Sequence, residues 1–236
     1  MIYLKKVFFV LVFLVCYCSS GAIFGQEINR FNTNNKRIGV WKKYHPNKRI
    51  RYTGQFENGK EIGVFKFYDI TSSKHPVIIK TYYNNSDSVF AQFFTIQGKV
   101  KTEGFLNNKN RVGVWKYFNY NGELISKENY INGLLHGEQF VYYPDGQVTA
   151  VSRYKNGLLE GITSKFSSKN ILIEEITYAN NVPNGLAKYF ELNGNLKETG
   201  FYKNGKRAGK WEYYLDGEIA SEEALKKNKR NIYKKQ

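Results

Sequence analysis

Residues 108–124 read NKNRVGVWKYFNYNGEL, and residues 202–217 read YKNGKRAGKWEYYLDG. Each stretch has a glycine two residues before a tryptophan and an aromatic five residues after that glycine. Each also carries Asn-Gly or Asp-Gly pairs. Working outward from these glycines gives one series: Gly39, Gly63, Gly113, Gly137, Gly161, Gly185 and Gly209. The step is 24 residues from Gly113 onward and from Gly39 to Gly63. The 50-residue gap between Gly63 and Gly113 hides a further unit with Val89 at the anchor. Its two surplus residues fit the loop-like stretch Thr71 to Pro76. Eight units follow, and self-similarity at a fixed period signals a repeat architecture.

Turn chemistry sets the content of each unit. Asn121-Gly122, Asp145-Gly146, Asn193-Gly194 and Asp216-Gly217 follow their anchors. Asn58-Gly59, Asn132-Gly133, Asn156-Gly157 and Asn204-Gly205 precede theirs. Such pairs favour two-residue hairpin turns, whose central positions need positive φ. Two turns per unit leave two strands of ordinary length. The expected fold is all-β: an elongated, twisted, single-sheet antiparallel meander of about eight hairpins and sixteen strands.

Two-residue turns at the first signal place each anchor opposite the residue seventeen further on. Those residues are Phe56, Tyr130, Tyr154, Tyr178 and Tyr202, with Tyr82 opposite Gly63 after the insertion. A ring over a strand glycine is the expected arrangement, the glycine supplying room. Where Val89 replaces the glycine, Leu106 replaces the ring, and the coincidence supports the register. Gly209 faces Leu225 after a one-residue deletion.

Two aromatic columns recur. Tyr44, Tyr68, Phe94, Phe118, Tyr142, Phe166, Phe190 and Tyr214 stand five after the anchor and are expected to pack as cross-strand ladders. Trp41, Phe65, Trp115 and Trp211 stand two after it, with opposite parity. Side chains alternate along a strand, so they fall on the other face and are the candidates for a recognition surface.

The ends read differently. Residues 1–25 have the form of a signal peptide: Lys5 and Lys6, an apolar run from Val7 to Val15, then Ser19, Ser20, Gly21 and Ala22. Cleavage fits after Ala22 or near Gly25, and a retained anchor is the alternative. Cys16 and Cys18 are the only cysteines, and Val15 and Tyr17 before them depart from a lipid-attachment motif. The expectation is an exported chain that is periplasmic, outer-envelope associated or secreted. Residues 26–227 form the repeat array, with an irregular insertion at 71–88, and 228–236 a basic tail. The net charge is +16, and the leader holds two of those cations. Lys226, Lys227, Lys229, Arg230, Lys234 and Lys235 have no acid after Glu223, so they are the candidate contact for an anionic partner.

No catalytic pattern stands out. His45, His75 and His136 lack metal-ligand spacing. Glu174-Glu175 and Glu222-Glu223 are adjacent pairs that a strand points to opposite faces. The chain reads as a non-enzyme without cofactor or metal.

The segments YKNGLLEG (154–161), 202–217 and 108–124 resemble the variant MORN repeat, found in bacterial proteins often labelled antitoxins of the YwqK type. The resemblance covers about Asn34 to Lys227. It implies a hairpin array that serves as an interaction scaffold. The leading expectation is an exported scaffold binding a protein or cell-envelope component along its sheet, as a monomer. An antitoxin or immunity role and a glycan or anionic-lipid module are the alternatives, and nucleic acid is not an expected partner.

Overall fold

The computed structural model describes residues 27–84, 86–221 and 223. The expected leader and basic tail lie outside the described residues, and so does Leu225, the expected partner of Gly209. Among the described residues the chain forms one open antiparallel meander of 19 strands, from Arg30–Phe31 to Glu218–Ile219. Leu134–Leu135 and Leu158–Leu159 are the first parts of strands that resume at Gly137 and Gly161. The hairpin count therefore matches the repeat count, and Arg30–Phe31 adds a short strand ahead of the first unit.

The register is the expected one. Gly39 pairs with Phe56, Gly63 with Tyr82 and Val89 with Leu106. Gly113, Gly137, Gly161 and Gly185 pair with Tyr130, Tyr154, Tyr178 and Tyr202. The turns behind it differ at the first signal. Asn119 N–H donates to the Glu123 carbonyl and Gly122 N–H to the Asn119 carbonyl, leaving a three-residue loop. Only Gly122 of that loop has positive φ, as in a type I turn closed by a bulge. Phe118 then pairs with Leu124 but Tyr117 with Ser126, so Ile125 is an extra residue. The longer loop and the bulge offset one another, and the register is unchanged. At the second signal the expected turn is present: Asn58 and Gly59 both have positive φ, as do Asn132 and Gly133.

The role of the anchor glycine is corrected. Gly113 sits at φ 64°, beside a register shift to the preceding strand between Glu103 and Phe105. A Cβ there would meet nothing within 4 Å. Backbone conformation, rather than room for Tyr130, is what excludes a side chain.

Within 71–88, the loop-like part from Thr71 to Pro76 is mostly strand, and the irregularity lies in its pairing. Ser72–Tyr82 is a continuous 11-residue strand. The surplus residues are absorbed as register shifts around Tyr68, which pairs with Pro76 while Asp69 pairs with Ser72.

Candidate interaction surface

The tryptophan column forms the core and not a recognition surface. Trp41, Phe65 and Trp115 are 3%, 1% and 1% exposed, and Trp211 is half-buried. The physical reason is a second glycine column that the spacing argument passed over. Gly54, Gly104 and Gly200 lie eleven residues before Phe65, Trp115 and Trp211. A Cβ on Gly104 would stand 2.5 Å from the Trp115 ring, and one on Gly200 2.3 Å from that of Trp211. The Phe65, Trp115 and Trp211 rings therefore lie directly on neighbouring backbone, and no second sheet is needed to bury them. Rings from adjacent strands close the sides: Phe31 and Phe56 meet Trp41 edge-on at 5.0 and 5.7 Å. The indole N–H of Trp115 donates to the Phe105 carbonyl at 3.0 Å.

An arginine covers each tryptophan. The guanidinium of Arg37 stands 5.0 Å from the Trp41 ring centroid, Arg111 4.9 Å from Trp115, and Arg207 3.9 Å from Trp211. Each arginine is two residues before the anchor. In the Phe65 unit that position is Glu61, which pairs opposite Phe56. The pattern Arg-x-Gly-x-Trp was thus readable as a cation–π pair across a bulged glycine. Arg111 also donates to the hydroxyls of Tyr117 and Tyr130, and Tyr130 donates to Glu128. Burial lowers the Arg111 pKa, but its contacts with Tyr130, Tyr117 and Glu128 outweigh that and leave it raised. Burial, with the hydrogen bonds to Tyr130 and Glu128, raises the Tyr117 pKa far above the usual tyrosine value.

The other face is the more open one. The column five after the anchor pairs with small apolar residues: Phe94 with Val100, Phe118 with Leu124, Phe166 with Leu172 and Phe190 with Leu196. These rings are half-buried, so packing holds for them, while Tyr44 in the first unit is exposed. Beside them runs a mixed charged row, each residue paired with the next. It includes Glu103–Lys116, Lys127–Phe140 and Glu175–Lys188. Lys116 Nζ lies 3.6 Å from the Glu103 carboxylate.

A third row stands one residue after the anchors. Val64, Val114, Ile162 and Leu186 are exposed, and so are Phe105 and Phe201 on the partner strands. Phe90 and Phe105 pair across strands with ring centroids 5.2 Å apart. With Val114, Glu103 and Lys116 they line an open groove of about 230 Å³. The missed signal was an apolar residue directly after the anchor, in RIGVW, EIGVF, RVGVW, LEGIT and PNGLA.

The remaining sequence candidates separate. The anchors are structural bulges. The histidines serve turns or contacts: His45 Nε2 bonds the Tyr68 carbonyl at 3.0 Å, and the His136 N–H donates to the Asn129 carbonyl. Among the described residues no three metal-binding side chains come together. Lys226, Lys227, Lys229, Arg230, Lys234 and Lys235 lie outside the described residues.

No curated protein matches the chain. The MORN repeat variant model matches residues 37–58, 111–132, 135–156 and 183–204. Every match begins two residues before an anchor glycine and ends on the asparagine of an Asn-Gly turn. The chain is thus similar to the MORN repeat variant in four places, in the phase of its bulged-glycine units.

Proposed function

We propose that the chain is an exported, non-enzymatic scaffold that binds a protein partner along the outer face of its sheet. The carrying observation is the exposed apolar row of Val64, Phe105, Val114, Ile162, Leu186 and Phe201, interleaved with charged residues. A face that keeps a row of apolar residues in water supports binding. The MORN-variant matches support a repeat scaffold. The leader read from residues 1–25 supports export.

The test is partner capture by crosslinking in native cells. An Ile162→Ser/Leu186→Ser/Phe201→Ser variant changes only exposed side chains, so it is expected to fold and to lose the captured protein. Capture unchanged by these substitutions would end the outer-face reading. Recovery of the protein in the cytoplasmic fraction alone would end the export reading.

A further inference from the structure

We propose that the outer face binds a second copy of the chain, with a two-fold axis running along the strands between Glu138 and Arg153. The proposal rests on the outer-face reading and names its partner. Glu138 and Arg153 pair on neighbouring strands, with Arg153 Nη2 3.2 Å from the Glu138 carboxylate. Both side chains are exposed, at 46% and 64%. Rotation about this axis lays each strand on the strand equally far to the other side and keeps each row on its own row. Glu138 of each copy then lies over Arg153 of the other.

One strand out, Lys127 meets Ser164, and the charge matches begin beyond it. Two strands out, Lys116 meets Glu175 in the charged row. Three strands out, Glu103 meets Lys188. Glu103 already pairs with Lys116, and Glu175 with Lys188, so the four form an alternating quartet across the interface. In the apolar row, Phe105 meets Leu186 and Phe90 meets Phe201. In the charged row at the axis, Phe140 meets Val151, its own cross-strand neighbour. One chain thus carries both halves of a self-complementary pattern, the requirement for an isologous interface. The other in-plane two-fold lays every strand on itself. Lys116 and Lys127, which are cross-strand neighbours, would then meet the same pair, like on like.

The size is adequate. Eight strands at ~4.8 Å and three same-face residues at ~6.8 Å cover roughly 800 Å² per copy. Two twisted sheets pack face to face with their strands about 30° apart, so the match is tightest near the axis, where Glu138 and Arg153 sit.

Sedimentation equilibrium on the purified chain tests this. The wild type is expected to be a dimer. Glu138→Arg and Arg153→Glu each put like charges across the axis, and each should weaken the dimer by at least ~10-fold. An equimolar mixture of the two should dimerise again, as should the double swap. Circular dichroism of both single variants should match the wild type. A wild type that stays monomeric, single variants that stay dimeric, or a mixture that stays monomeric would each overturn the proposal. A monomeric chain whose crosslinked partner is still lost in the Ile162/Leu186/Phe201 variant would overturn the dimer alone and leave the scaffold reading standing.

Discussion

Two glycines with different reasons to be glycine stand nine residues apart in Gly104 and Gly113. Gly113 is held at positive φ in open space, and an L side chain there costs about 1–2 kcal/mol. Gly113→Ala should therefore destabilise in urea melts, and Tyr130→Leu should not restore the loss. Gly104 has ordinary backbone but lies under the Trp115 ring. Gly104→Ala should be the more damaging, and Trp115→Leu should recover part of its own partner's loss. Sequence spacing found the first column because it is periodic in seven units. It gave that column the second one's explanation, because a ring opposite a glycine looks alike in either case. The tyrosines make a separate prediction. Burial raises the pKa of Tyr82, Tyr117, Tyr130 and Tyr189, helped by hydrogen bonds with Glu61 at Tyr82, Glu128 at Tyr117 and Tyr130, and Tyr202 at Tyr189. The folded chain then holds these protons more tightly than the unfolded chain does. That stability is complete below the unfolded tyrosine pKa of about 10 and is lost as the pH rises through the folded values. Thermal melts should show a falling midpoint above about pH 10, and a flat midpoint there would contradict the buried hydroxyl network.

At the scale of the hairpin, the register was legible and the turn was not. Asn121-Gly122 suggested a two-residue loop, whereas the loop has three residues and Ile125 bulges opposite. The sum is the same, so a test on the register alone could not separate them. Removing Tyr120 should leave the strand pairing in place, because Asn121-Gly122 then closes a two-residue loop between Asn119 and Glu123 and the bulge at Ile125 is untouched. The melting midpoint of the Tyr120 deletion should stay close to that of the wild type, and its collapse would contradict a loop and a bulge that act separately. The irregular stretch shows the same compensation: Ser72–Tyr82 stays a strand because the surplus residues near Tyr68 are taken up as register shifts. Composition suggested a loop there because serine, histidine and proline are turn-rich, but pairing with Lys60–Asp69 decides the outcome.

Over the whole molecule, each hairpin is marginal alone and gains stability from its neighbours. The repeat count, the meander and the pairing partners were therefore readable, since all follow from periodicity. Which face is the core was not, because parity separates two faces without ranking them. That ranking depends on Gly54, Gly104 and Gly200, which appear in only some units, and on Arg37, Arg111 and Arg207 above the rings. Truncating one arginine, as in Arg111→Ala, should lower stability by about 0.5–2 kcal/mol through the lost cation–π contact and hydrogen bonds. The account depends most on the tryptophan face being the core and the opposite face being open. Acrylamide quenching of single-tryptophan variants measures this directly. Trp41 and Trp115 should be strongly protected in the folded chain, and Trp211 should be quenched more readily. Quenching of Trp41 and Trp115 at the rate of the unfolded chain would contradict it.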